Sequence, residues 1–190
     1  ENMGIRVAIA GLGNCASALV QGVEYYKDAK RDEIIPGVMH AYFGDYHISD
    51  IEFVAAFEVN KEKIGKDISE AILAAPNNCA KFADVPKMGV IVQAAPILDG
   101  VAPHMYGSFN ADKDTETVNI AQVLRNTKAD MLINYLPVGS AKATEMYAQA
   151  CLDAGCAFLN CIPEFIASKP EWAQKFVDAG LPVAGDDIKS

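Results

Sequence analysis

Ile5-Arg6-Val7-Ala8-Ile9-Ala10-Gly11-Leu12-Gly13-Asn14-Cys15-Ala16 is the stretch on which the fold turns. Ile5 to Ala10 is a short run of mostly β-branched and small apolar residues, the composition of a strand covered on both faces in a parallel sheet. A glycine turn follows at once. From Asn14, the residues Ala18, Leu19, Gly22, Val23 and Tyr26 fall at helical spacing, and the charged Lys27 to Arg31 ends the pattern. Strand, glycine turn and helix therefore come in the order a dinucleotide site requires. Gly11 and Gly13 let the backbone bend sharply and approach a pyrophosphate, whose charge meets free N–H groups at the start of the Asn14 helix. Ala16 fills the third small position. A plain tight turn could use the same glycines; the flanking strand and helix favour the dinucleotide reading and make Gly11, Gly13, Asn14 and Cys15 its candidate contacts.

Outward from this unit, strand and helix patterns alternate. Phe53 to Phe57, closed by Glu58, reads as the second strand, with a short helix from Lys61 to about Ser69 and a break at Pro76-Asn77-Asn78. Val90 to Ala94 is a further strand. Asp114 is placed to cap a helix reaching Asn126, and Met131 to Tyr135 is the next strand. Ser140 is placed to cap a helix that Gly155 ends, and Ala157 to Asn160 follows as a strand. Ser168-Lys169-Pro170-Glu171 has capping-box spacing, and Leu181 to Ala184 gives a last strand. Residues 28–50 read as no single regular element and form a long insertion. The whole chain, 1–190, reads as one α/β domain with a doubly wound, mostly parallel sheet of Rossmann type. Ligands on such sheets gather at the carboxyl ends of the strands, which lines up Gly11, Glu58, Pro96, Pro137, Asn160 and Asp186.

Composition narrows the partners. The chain carries 25 acidic against 16 basic side chains, a formal charge of −9, which repels nucleic acid and anionic membrane. No apolar run approaches the ~20 residues of a membrane span, and Glu1-Asn2-Met3 leads into a strand rather than a leader, so a cytoplasmic location is expected. The five cysteines show neither a CxxC pair nor zinc spacing to a histidine, so they are expected to be reduced, and no metal is expected.

Several residues carry two readings. Glu58 is either an acceptor for the adenosine ribose hydroxyls, favouring NAD over NADP, or a solvated charge at a strand end; it lies about twice as far beyond the turn as the ~20 residues of the usual fingerprint. Cys15 is either a thiol activated at a helix N-terminus or a small residue beside a cofactor. Asn134-Tyr135-Leu136-Pro137-Val138-Gly139-Ser140 either positions the nicotinamide or is a structural connection. Lys189 either pairs with a substrate phosphate or enolate oxygen, with Asp186 and Asp187 fixing it, or is a surface lysine among surface aspartates. His40, His47 and His104 read as loop histidines.

As a set, Gly11 to Ser17 with Val20 to Tyr26, Leu98-Asp99-Gly100-Val101-Ala102-Pro103-His104-Met105, Asn134 to Ser140, Asn160-Cys161-Ile162-Pro163-Glu164-Phe165-Ile166-Ala167-Ser168 and Gly185-Asp186-Asp187-Ile188-Lys189-Ser190 resemble the bacterial and archaeal form of myo-inositol-1-phosphate synthase. The resemblance spans the chain. It implies an NAD-dependent isomerase that turns glucose 6-phosphate into inositol 1-phosphate by oxidation at C5, enolisation, attack of C6 on the C1 aldehyde and re-reduction, for inositol and phospholipid biosynthesis. In that scheme Lys189 matches an active-site lysine, Asp186 and Asp187 match carboxylates near nicotinamide and substrate, and Gly11, Gly13, Asn14 and Cys15 match the pyrophosphate turn. The family continues past this lysine into an α+β part that covers the sugar and builds a tetramer. The 190 residues alone are thus expected to supply the NAD-binding half without catalysis. A nicotinamide-dependent polyol or sugar oxidoreductase and a non-catalytic NAD-binding module are the competing classes.

Overall fold

The computed structural model describes residues 4–101 and 110–188. In chain order the elements are β1 (Ile5–Ala10), α1 (Asn14–Tyr26), the short strands β2 (Tyr42–Phe43) and β3 (Tyr46–His47), a 3-10 turn (Ile48–Asp50), β4 (Ile51–Glu58), α2 (Ile68–Ala71), β5 (Gln93–Ala94), α3 (Ile120–Asn126), β6 (Met131–Asn134), α4 (Ala141–Ala154), β7 (Ala157–Asn160), α5 (Pro170–Ala179) and β8 (Val183–Ala184). Six strands form one parallel sheet in the order β5-β4-β1-β6-β7-β8. Without the β2-β3 hairpin, which sits in the insertion, this is the 3-2-1-4-5-6 order of a doubly wound sheet. Its order reverses between β1 and β6, the position at which sheets of this kind bind ligands beyond the carboxyl ends of the strands.

The sheet carries a core on each face because its central strands alternate between two buried sides. Val7 and Ile9 pack with Leu12, Ala16 and Val20 of the α1 side and with Ile68 and Ile72. Ala8 and Ala10 pack with Leu124, Tyr147, Cys151 and Phe176 of the α3, α4 and α5 side. Register slips between Val7 and Ala8, which pair with Phe53 and Ala55. The extra residue lets Val54 and Ala55 face the same core, so Phe57 stays buried at the end of β4.

Local reading misplaces three elements and two helix caps. The helix expected from Lys61 is a series of turns, with only Ile68–Ala71 helical and Asp67 as its cap. Gly65 leaves helical geometry at φ +82°, and the Gly65 and Ile68 N–H groups donate to Val92 and Val90 carbonyls. That pairing takes Val90 to Val92 away from β4 and shortens the expected strand to Gln93–Ala94. Asp114 caps nothing; Asn119 accepts from Gln122 N–H at 3.0 Å and starts α3 later. Asp112 holds the preceding turn through Asp114 and Thr115 N–H. Neither Ser140 nor Ser168 caps its helix by side chain. Among the described residues no helix is long and apolar enough to cross a membrane.

Asp67 anchors the α2 side. Its carboxylate accepts from Ser69 N–H and Oγ and from the Met88 and Gly89 N–H groups at 2.7–3.2 Å. Burial pushes its pKa up, yet these donors outweigh burial and hold it below the ordinary carboxyl value.

Candidate dinucleotide site

β1 delivers the glycine turn to the switch point. Gly11 adopts φ +84°, and a Cβ there would stand 2.9 Å from the Tyr135 carbonyl oxygen at the end of β6. Only glycine lets the two strand ends approach this closely. Gly13 is different: a Cβ there would meet nothing within 4 Å, so that face of the turn is open. Gly13 precedes α1 without any side-chain cap, and the first helical bond runs from Ser17 N–H to the Gly13 carbonyl at 3.0 Å. The N–H groups before Ser17 are the unsatisfied donors of a helix start, and they favour an anion.

The next helix start at this edge is closed. Asp99 reaches across to accept from Lys142 N–H at 2.7 Å and Ala143 N–H at 3.0 Å, capping α4 with a carboxylate distant in sequence. Glu164 accepts from Gly139 N–H at 2.8 Å. The start of α1 is therefore left without a side-chain acceptor, whereas the start of α4 is taken up by Asp99.

Glu58 stands at the end of β4 but turns inward, away from the solvated position the sequence allows. Its side chain is 8% exposed. One oxygen accepts from Leu12 N–H at 3.0 Å, the other from Val59 and Asn60 N–H at 2.7 and 3.1 Å. Its carboxylate thus shapes the turn. Asn14 is equally committed: its carbonyl accepts from Asn78 and Cys79 N–H and its amide donates to Asn78 Oδ1. Gln21, fully buried on α1, accepts from Phe82 N–H at 2.8 Å and donates to the Ala80 carbonyl. Together with Asn77, which donates to the Leu12 carbonyl at 2.9 Å, they strap residues 77–83 beside the turn.

Across the switch point, Cys15, Tyr135 and Cys161 face one another. Burial first, then the Cys161 and Cys15 thiols, push Tyr135 up to about 12; burial and Cys15 push Cys161 up to about 11. Both stay protonated at neutral pH. All five cysteines are free thiols, and among the described residues no group of three His, Cys, Asp or Glu could hold a metal ion.

The far end of the edge is a buried polar relay. Asn134 donates to Asn160 Oδ1 at 2.9 Å and to Thr144 Oγ1 at 3.1 Å. Asn160 donates to Asp186 Oδ1 at 2.7 Å, and Asp186 also accepts from Ile166, Ala167 and Ser168 N–H at 2.9–3.1 Å. Asp186 is therefore occupied by its own chain rather than presented to a ligand. Asp187 is the exposed carboxylate of the pair, at φ +57°, held by its N–H to the Ile162 carbonyl at 3.2 Å. Pro137 is exposed in the β6–α4 turn, and its carbonyl accepts from Ser140 Oγ at 2.7 Å. Lys189 and His104 lie outside the described residues. What sequence reading missed is the supporting set, Lys63, Asn77, Gln21 and Asp99, whose bonds to the turn, to the 77–83 segment and to α4 join residues remote in the chain and leave no local pattern.

No family model matches the chain. A Corynebacterium glutamicum protein named inositol-3-phosphate synthase is 56% identical over 186 residues, which cover 98% of this chain and 51% of that protein. Its Mycolicibacterium smegmatis namesake is 54% identical over the same shares. Among solved structures, Ari2 superposes with a TM-score of 0.82 at 36% identity over 98% of this chain and 53% of that one. A myo-inositol-1-phosphate synthase-related protein from Thermotoga maritima reaches 0.71 at 21% identity, a likeness of fold, over 97% of this chain and 55% of that one. The chain spans about half the length of the curated relatives it matches. Over 98% of its own length, the chain is similar to proteins named inositol-3-phosphate synthase at 53–56% identity.

Proposed function

We propose that this chain holds NAD at the β1–α1 turn, and that the enzyme it forms part of isomerises glucose 6-phosphate to an inositol phosphate. The observation that carries the reading is the uncapped start of α1, open beside Gly13 at the switch point, in a chain 56% identical to a named synthase. The donors present fit a pyrophosphate: the N–H groups of Gly13, Asn14 and Cys15 would hold it, with Gly11 keeping the turn against β6. Bound NAD supplies a hydride acceptor that is regenerated within the cycle.

The chain's own residues do the rest. Glu58 serves the turn rather than the ribose, because its buried carboxylate is taken up by the Leu12, Val59 and Asn60 N–H groups. Pro137 borders the nicotinamide end. Asp186 fixes the last segment, leaving Asp187 for the cofactor or substrate. Lys189 stabilises the oxyanion that develops on the sugar as the carbon–carbon bond forms. A cytoplasmic tetramer is the proposed setting.

Calorimetric titration of the chain with NAD and NADH is expected to show binding below millimolar; no binding of either at millimolar concentration overturns the cofactor assignment. With the complete protein, glucose 6-phosphate and catalytic NAD should yield inositol phosphate without NADH accumulation. Net NADH would instead identify a polyol or sugar oxidoreductase. Lys189→Ala is expected to lower inositol phosphate formation by ~10²–10³-fold, the scale of a lost oxyanion donor, with NAD affinity nearly unchanged. Full activity in that variant removes the catalytic role.

A further inference from the structure

Beneath the glycine turn lies a buried ammonium that the reading above does not use. Lys63 Nζ donates to the Leu12 carbonyl at 2.6 Å and to Asn77 Oδ1 at 2.8 Å, and stands 3.8 Å from Glu58 Oε1. Its side chain is 3% exposed. Burying a lysine is costly, and here burial pushes its pKa down with the Glu58 carboxylate opposing. An apolar residue would fill the same space without that cost, so a plain packing role does not account for the charge.

Its target does. The Leu12 carbonyl and the Gly13 N–H belong to one peptide unit, with a dipole running from the oxygen to the hydrogen. Lys63 grips the oxygen end, and Asn77 donates to the same oxygen at 2.9 Å. The hydrogen end, the Gly13 N–H at the start of α1, has no acceptor among the described residues, and a Cβ on Gly13 would meet open space. A cation bonded to the oxygen draws electron density away from the N–H and makes it a stronger donor. Glu58 holds the preceding peptide by Leu12 N–H, so the turn is pinned on both sides by opposite charges.

We infer that Lys63 is a positioning residue of the dinucleotide turn, orienting and polarising the Leu12–Gly13 peptide so that the Gly13 N–H is presented to a pyrophosphate. The inference rests on the NAD reading above. It acts on the phosphates and leaves the adenosine end untouched.

The test measures affinities of the chain for NAD, ADP-ribose and adenosine in wild type, Lys63→Met and Lys63→Arg. Lys63→Met should weaken NAD and ADP-ribose at least tenfold and leave adenosine within twofold, and Lys63→Arg should recover most of the loss. NAD affinity within twofold of wild type in Lys63→Met overturns the inference, and so does an equal loss for adenosine, which marks mere collapse of the turn. If Lys63→Met does not fold, the wild-type pH profile decides. Glu58 of β4 is the charged group facing Lys63; the turn and Asn77 present neutral ones. NAD affinity should then fall as pH rises through the lowered Lys63 pKa while adenosine stays flat, and parallel profiles overturn the inference. A wild-type protein that binds neither NAD nor ADP-ribose sinks the cofactor reading and this inference together, whereas NAD binding with an unaffected Lys63→Met sinks this inference alone.

Discussion

Gly11→Val is expected to abolish NAD binding and to destabilise the chain. The position carries two independent penalties. At φ +84° any side chain is strained by about 1–2 kcal/mol. Beyond that, the new Cβ would stand 2.9 Å from the Tyr135 oxygen and 3.1 Å from its carbonyl carbon, both backbone atoms that a rotamer change cannot move. Relief requires β1 and β6 to part at their carboxyl ends, where Tyr135 N–H donates to the Ala10 carbonyl at 2.8 Å. Losing that bond adds about 1 kcal/mol. A turn displaced from α1 no longer aims its N–H groups together, so NAD affinity should fall more than ~100-fold, equivalent to about 2.7 kcal/mol. Calorimetry and thermal melts of Gly11→Ala and Gly11→Val check this. An affinity within threefold of wild type in both would show that the turn does not contact the cofactor.

The second large effect is expected at Asp186. Its carboxylate satisfies the Asn160 amide and three backbone N–H groups, so Asp186→Ala strands four donors in a partly buried corner. The expected loss is about 3 kcal/mol, or about 6–12 °C in Tm for a chain of this size. Asp186→Asn keeps the shape but points an amide at N–H donors and should lose nearly as much. The pH dependence carries the sign. Burial raises the Asp186 pKa, but the Asn160 amide and the N–H groups lower it further, so the folded value lies below the ordinary one. Its stabilisation is therefore complete above the unfolded carboxyl pKa of ~3.9 and is lost as pH falls through the lower folded value. The stability gap between wild type and Asp186→Ala should be full near pH 6 and should narrow as pH falls below the unfolded carboxyl pKa of ~3.9. A gap that persists unchanged into acid would mean that the charge is not what holds this corner.

These two residues also mark how far local reading reaches. Gly11 announces itself, because strand, turn and helix are consecutive and each has its own composition. Asp186 was legible as a residue at a strand end, yet its direction was not: whether a carboxylate faces a ligand or its own backbone depends on where the 163–168 loop lies. Glu58 repeats the lesson, set at the expected strand end and turned toward Leu12 N–H.

What the sequence by itself determined is the order of layers and the position of the turn: alternating strand and helix periodicity, a buried parallel strand before two glycines, and a helix directly after them. Those features depend on neighbours within a few residues, where periodicity and backbone freedom act. Only the tertiary structure decided which donors and acceptors were left for a ligand. Asp99 closes α4, Asn14 and Asn77 strap the 77–83 segment, Val90 to Val92 pair with Lys66 to Ile68, and Lys63 lodges under Leu12. Each is a hydrogen bond between residues remote in the chain, and buried polar groups must find partners wherever the packed fold brings them, so no spacing rule could have foretold them.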